Sequence, residues 1–172
     1  MLHMSDAPLQ SLQLFLSGSF PLSLLIAAGT DLRQFRISNH IVLLALAGFV
    51  PVAILAGFGP ADWLIHAATA LGLFAAGATL FSLGAWGGGD AKLLAAAGLW
   101  LGPQPLPRFL LVMSLAGLAL ALFALAMRRV PVSARHAGGW HDRFVAEGQI
   151  PYGVAIAAAG LDWWLAAASP LF

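Results

Sequence analysis

The sequence predicts an all-α polytopic membrane protein with six transmembrane helices, the fourth of them short, and both termini on the outer side. Three observations carry this expectation. Sixty per cent of the 172 residues are hydrophobic and only 9% are charged, whereas a soluble domain carries about 25% charged residues. The apolar residues fall into long runs divided by brief breaks of glycine, proline or charge, the pattern of membrane spans rather than of a soluble core. Finally, nearly all the arginine and lysine collects on one side once six spans are laid out.

The composition also excludes. There is no cysteine, which removes disulfides, zinc ribbons, thiol nucleophiles and iron–sulfur clusters together. A formal net charge of +1 and the lack of a basic cluster argue against a nucleic-acid partner and leave the lipid bilayer as the surrounding medium. Residues 1–10 contain no Lys or Arg. A secretory signal needs a positive start, so the first apolar run reads as a retained span.

Taken in order, the expected spans are 12–29, 37–57, 62–86, 91–102, 109–127 and 150–168, in one integral-membrane domain covering 1–172. The first holds Pro21, tolerated in lipid when neighbours satisfy the freed carbonyl, and ends at Asp31, Arg33 and Arg36. The second contains Pro51 and is followed by the turn Gly57-Phe58-Gly59-Pro60. The third is rich in Ala and Gly, which let helices approach closely where the hydrophobic effect cannot drive association. The fourth is the unusual one. From Asp90 to Gly102 a helix reaches only about 20 Å, against a hydrocarbon core of about 30 Å, and Pro103, Pro105 and Pro107 forbid its simple continuation. Asp90 is therefore expected near or below the lipid surface. The longest polar stretch, 128–149, separates the last two spans.

Placing the Asp31 loop in the cytoplasm puts Arg33, Arg36, Lys92, Arg128, Arg129, Arg135 and Arg143 inside and only Arg108 outside. The positive-inside rule favours that orientation. Trp63, Trp100, Trp163 and Trp164 then fall at the outer interface and Trp86 at the inner one. Asp31 and Asp90 share the cytoplasmic side.

These two acids are the candidate chemistry. Asp31, read as following a helix C-terminus, is a poor cap there because it opposes the helix dipole. It either acts in a site or pairs with Arg33 or Arg36 in a solvated loop. Asp90 follows Gly87, Gly88 and Gly89 and precedes an apolar helix. It reads either as an ordinary N-cap after a flexible turn or, given its depth, as a functional acid. Two carboxylates forced together cannot both ionise easily, so the charged member can activate water and the protonated member can donate to a carbonyl oxygen. Gly87, Gly88 and Gly89 would let the backbone approach an extended substrate and let the loop flex. Lys92 either snorkels to headgroups or biases the acids and orients substrate. Asn39 is either a helix cap or a hydrogen-bond partner of the acid loop. His66 and Asp162 have no evident partner. His3, His40, His136 and His141 form no metal-ligand spacing, so neither a metal nor a cofactor is expected.

At these residues the chain resembles the type IV prepilin peptidases, polytopic aspartic proteases of the GxGD group. Their motif Gly-x-Gly-Asp-x-Lys stands here as Gly87-Gly88-Gly89-Asp90-Ala91-Lys92. Their first aspartate, followed six residues later by Ile/Leu-Pro-Asn, corresponds to Asp31 and Ile37-Ser38-Asn39, with Ser38 in place of proline. The run 93–102 and Ile150-Pro151-Tyr152-Gly153-Val154-Ala155 are also similar to the family. The presenilin-like Tyr-Asp motif is absent, since Thr30 precedes Asp31.

The resemblance implies a peptidase with Asp31 and Asp90 as the catalytic pair, in a bacterial cytoplasmic (inner) membrane with its active site toward the cytoplasm. It implies cleavage of short basic leaders from prepilins and pseudopilins, after a glycine and before a hydrophobic helix, and the pilus-assembly machinery as a further partner. The size and the missing cysteines resemble the compact Flp/tight-adherence branch, so N-methyltransferase activity is not implied. A small proton-coupled transporter using the same acids, and a noncatalytic pilus-assembly protein, are the competing readings.

Overall fold

The structure, a computed structural model, describes residues 7–127 and 150–168. The polar stretch 128–149, with its share of the inside charge, and His3, His136 and His141 lie outside the described residues. The described residues form α1 (Ala7–Ser17), α2 (Ser19–Gln34), α3 (Asn39–Leu55), α4 (Pro60–Ser82), α5 (Gly88–Leu101), α6 (Leu106–Met127) and α7 (Tyr152–Ala168). Ser11–Gln34, α4 and α6 are long and apolar enough to cross a membrane, while Asn39–Leu55 and Tyr152–Ala167 are shorter apolar helices. The protein is all-helical and polytopic.

The first apolar run is not one regular helix. Pro21 lacks the N–H that would bond the Ser17 carbonyl, and its ring crowds that carbonyl. The helix is perturbed at Gly18, whose N–H is shared between the Leu14 and Phe15 oxygens at 3.2 Å each, although its angles stay helical (φ −60°, ψ −18°). Pro21 thus lies in the first turn of α2, within the span Ser11–Gln34, where the perturbed hydrogen bonding at Gly18 accommodates the missing N–H.

The inner helix is α5, with nine of its 14 residues buried, packed between α3, α4 and α7. Among the buried residues of α2, Phe20, Leu24, Ala27 and Asp31 recur at intervals of three and four and form one face, with Pro21 and Ser23 buried beside it. This helix packs on α1, α3 and α7. The outer helices α4 and α6 bury few residues: Leu73 and Gly77 on one, Phe109, Gly117 and Ala124 on the other. Their exposed Leu64, Leu71, Leu115 and Leu122 form the apolar exterior expected in lipid.

Because lipid is as apolar as leucine, close backbone approach has to hold these helices together. At Gly77 an added Cβ would lie 2.9 Å from the Ala91 Cα, so α4 rests directly on the backbone of α5. At Gly160 it would lie 2.5 Å from Leu24 Cδ1. Gly153 and Gly160, seven residues apart and hence on one face of α7, both meet α2.

The end of the bundle away from the aspartates is aromatic. Trp100 is buried, not at an interface as expected: its ring stacks on Phe20 at 5.0 Å and its Nε1 donates to the Ala45 carbonyl at 2.8 Å. A helix as short as α5 ends inside the protein, so its terminal tryptophan meets side chains instead of headgroups. His66 Nδ1 lies 2.7 Å from the Leu99 oxygen, and its ring sits against Phe49 and Phe58. Asp162 accepts both arms of the Arg108 guanidinium at 2.9 Å, tying α6 to α7. Both residues thus have partners that sequence spacing does not reveal.

The close contact predicts a contrast between two glycines of α4. Nothing lies within 4 Å of a Cβ added at Gly72, so Gly72→Ala is expected to leave thermal unfolding in detergent micelles unchanged or slightly raised. Gly77→Ala is expected to cost about 1–3 kcal/mol through overpacking. Equal midpoints for the two would contradict the α4–α5 contact.

Candidate active site

Asp31 continues the buried face of α2 after Phe20, Leu24 and Ala27. It lies within the last turn of the helix, not in a loop after it. The helix stops because Phe35 takes a left-handed conformation (φ 52°, ψ 37°) and returns its N–H to the Asp31 carbonyl at 2.8 Å. Among the described residues the carboxylate is bonded to neither Arg33 nor Arg36. Its Oδ2 accepts from the Gly153 N–H at 2.8 Å. That N–H belongs to the first turn of α7, whose leading N–H groups have no intrahelical acceptor and carry the positive end of the helix dipole. Asp31 therefore serves α7 as a cap supplied from another helix.

Asp90 is buried in the first turn of α5. The N-cap is Gly87, so Gly88 and Gly89 are helical rather than a flexible loop, and Asp90 stands three residues past the cap instead of at it. Its Oδ2 reaches back to the Gly87 N–H at 3.1 Å, the carboxylate half of a capping box. Its Oδ1 is buried and, among the described residues, has no hydrogen-bond partner. Buried polar atoms are nearly always satisfied, and an exception calls for an explanation.

The two acids converge. Asp90 lies within electrostatic reach of Asp31. Ile37, on the α2–α3 connection, wedges between their supports. A Cβ at Gly89 would come within 3.0 Å of Ile37 Cβ, and one at Gly153 within 2.9 Å of Ile37 Cδ1 and 2.8 Å of Asp31 Oδ2. The three glycines before Asp90 are not equivalent. A Cβ at Gly87 would sit 2.9 Å from Asp90 Oδ2, whereas one at Gly88 meets only the Phe81 ring at 3.5 Å, an ordinary contact. A side chain is crowded at 87, by the Asp90 carboxylate, and at 89, by Ile37, and has ordinary room at 88.

Ser38 keeps a backbone (φ −70°, ψ 142°) that proline would also adopt. Its hydroxyl caps α3 by accepting from the His40 N–H at 3.3 Å. The cap of α3 is thus Ser38, not Asn39. Asn39 Oδ1 instead accepts from Lys92 Nζ at 2.9 Å on the exposed surface, linking α3 to α5. That bond engages Lys92 with Asn39 rather than with a carboxylate.

Gly153 and Ile37 have no chemistry of their own, so residue-type reasoning passes over them. Both stand in stretches that resemble the family, Ile37-Ser38-Asn39 and Pro151-Tyr152-Gly153, but the resemblance gives neither a role. Trp86 and Tyr152, each one residue before a glycine that bonds an acid, pack ring against ring at 5.1 Å. Among the described residues no three His, Cys, Asp or Glu side chains cluster as a metal site would require. The reactive groups gathered here are two carboxylates and the helix N-termini that hold them.

Comparison with known proteins bears on this site. Residues 19–122, more than half of the chain and including both aspartates, match the type IV leader peptidase family. A prepilin leader peptidase/N-methyltransferase of Burkholderia pseudomallei (strain K96243) is 38% identical over 74 residues, 43% of this chain and 19% of that protein. One from Escherichia coli (strain K12) is 44% identical over 54 residues, 31% of this chain and 24% of that protein. The matched stretches thus span no more than about a quarter of these curated relatives. No solved structure matches. By the extent of the family match, the chain belongs to the type IV leader peptidase family.

Proposed function

We propose that the protein is a membrane aspartic endopeptidase that cleaves the leader from type IV prepilins, with Asp31 and Asp90 as its catalytic pair. The observation that carries this reading is the convergence of two buried carboxylates, from the last turn of α2 and the first turn of α5, in a chain of the leader peptidase family. Flp-type prepilins are the proposed substrates and the bacterial inner membrane the proposed site, with the helices working as one peptidase unit. Arg33, Arg36 and Lys92 lie at the acid end of the bundle and Arg108 at the opposite end, which supports an active site facing the cytoplasm.

The chemistry follows from the pair sharing one proton. The ionised carboxylate takes a proton from water as its oxygen attacks the scissile carbonyl carbon. The protonated carboxyl gives its proton to the carbonyl oxygen. Collapse of the resulting diol breaks the C–N bond, and the leaving amine takes up a proton. The unpartnered Asp90 Oδ1 is available to hydrogen-bond water or a hydroxyl of the diol. The pair titrates as a unit, so neither acid is assigned permanently as base. The Gly87 and Gly153 N–H groups hold the carboxylates in place without consuming every oxygen, a preorganisation that costs nothing at the moment of reaction.

Co-expression with an Flp-type prepilin, read by the mobility shift on leader loss, tests the assignment. Asp31→Asn and Asp90→Asn are each expected to reduce cleavage by about a thousandfold or more while the protein accumulates normally in the membrane. Retained processing in both would overturn the reading. Proton flux without peptide cleavage in liposomes would favour a transporter.

The glycines supply a second, steric prediction. Gly88→Ala is expected to process prepilin within about twofold of wild type, whereas Gly87→Ala, Gly89→Ala and Gly153→Ala lose about tenfold or more, since small misplacements of reacting groups cost rates of that order. Initial cleavage rates in membranes, normalised to protein, distinguish the four.

A further inference from the structure

One apolar side chain touches the supports of both acids. Ile37 stands in the connection between α2 and α3, and its Cβ, oxygen and nitrogen lie 3.0, 3.3 and 3.4 Å from where a Cβ would sit at Gly89. Its Cδ1 lies 2.9 Å from where a Cβ would sit at Gly153. The base of the residue thus rests on the first turn of α5 and its tip on the first turn of α7. Asp90 follows Gly89 in the one turn, and the Gly153 N–H of the other bonds Asp31. The chain on either side of Ile37 is fixed. Phe35 gives its N–H to the Asp31 carbonyl at 2.8 Å, the Ser38 hydroxyl caps α3, and Asn39 accepts from Lys92 at 2.9 Å. The side chain itself packs against two apolar clusters, one containing Leu93 and Ile156, the other Val42, Ala45 and Ala96. A β-branched side chain is stiff at χ1, so this one keeps its reach.

We propose that Ile37 is a positioning residue for the peptidase reaction: it spaces the first turns of α5 and α7 and so sets the separation at which Asp31 and Asp90 share a proton. The inference rests on the leader-peptidase reading and deepens it. Both acids are anchored to backbone N–H groups, Asp31 to Gly153 and Asp90 to Gly87, so their separation follows that of the two helix starts. Glycines 89 and 153 have no side chains with which to set that distance, and the spacer comes from Ile37. The opposing contact is aromatic. Trp86, immediately before Gly87, and Tyr152, immediately before Gly153, pack ring against ring at 5.1 Å and draw the same two turns together. Ile37 limits how closely they approach. Truncating it lets the turns close and presses the carboxylates toward each other, which strengthens their mutual repulsion when both are ionised.

Steady-state cleavage of a prepilin in detergent, measured across pH, tests this. Ile37→Ala is expected to lower kcat about tenfold or more, the order that a misplacement of reacting groups costs, and to leave KM within about twofold. It is also expected to widen the bell-shaped pH profile of kcat. The acid and alkaline limbs move apart by about half a pH unit or more, as for two carboxylates brought about 1 Å closer. Arg33, Arg36, His40, Lys92 and Tyr152, the other titratable groups at this end of the bundle among the described residues, are the same in both proteins, so the interval between the limbs reports the acid pair. Ile37→Val removes only Cδ1, the atom against Gly153, and is expected to give a smaller change in the same direction. Ile37→Leu restores the volume and is expected to recover kcat to within about threefold of wild type. Where Ile37→Ala does not accumulate in the membrane, Ile37→Val alone decides. No loss of kcat, a loss with an unchanged or narrowed profile, or a loss confined to KM overturns the inference, while wild-type cleavage upholds the peptidase reading. Wild type that cleaves no prepilin overturns the peptidase reading, and the positioning role with it.

Discussion

The hydrogen bond from the Gly153 N–H to the Asp31 carboxylate is the contact on which the site depends. It is buried and joins positions 122 residues apart in the chain. It caps α7, fixes the end of α2 and brings Asp31 beside Asp90 in one stroke. Each participant is needed for a physical reason. A buried carboxylate needs a donor, because leaving it unmatched is costly. The start of α7 offers one because leading N–H groups have no partner within the helix. Position 153 must be glycine because a Cβ would occupy the space of the carboxylate itself. Asp90 repeats the device within α5 through Gly87, so both acids are held by helix N-termini and, among the described residues, neither by a cation.

The lipid environment explains the rest of the architecture. With no hydrophobic drive between helices, contact surfaces are built from glycine and alanine: Gly77 on Ala91, and Gly160 on Leu24. The helix carrying Asp90 is short and almost wholly surrounded by protein, so its acid end is held at depth while its far end is packed by Trp100 among Phe20 and Phe49. The outer helices α4 and α6 contribute little to the core and face the bilayer.

Much of this was legible in the sequence. Apolar runs and their breaks reveal the helices, but the end of the first was read too early: Asp31, expected just after it, is the next member of the buried series Phe20, Leu24, Ala27. The brevity of the Asp90 helix follows from its prolines. What could not be read depends on contacts between distant segments. The Arg108–Asp162 fork and the His66–Leu99 bond span 54 and 33 residues, and no local pattern encodes them. Three successive glycines look alike in sequence, yet only Ile37 and the Asp90 carboxylate separate Gly89 and Gly87 from Gly88. Tryptophan favours both interfaces and cores, so the sequence alone does not reveal that Trp100 packs against Phe20 inside the bundle.

The central claim is that Asp31 and Asp90 act as one unit. A double-mutant cycle on prepilin cleavage tests it most directly, using Asp31→Asn, Asp90→Asn and the double variant in membranes at matched protein levels. Groups acting together are non-additive, so the account predicts that the double variant cleaves no more slowly than the poorer single variant. Losses that multiply would mean that the two acids act independently, and would contradict it.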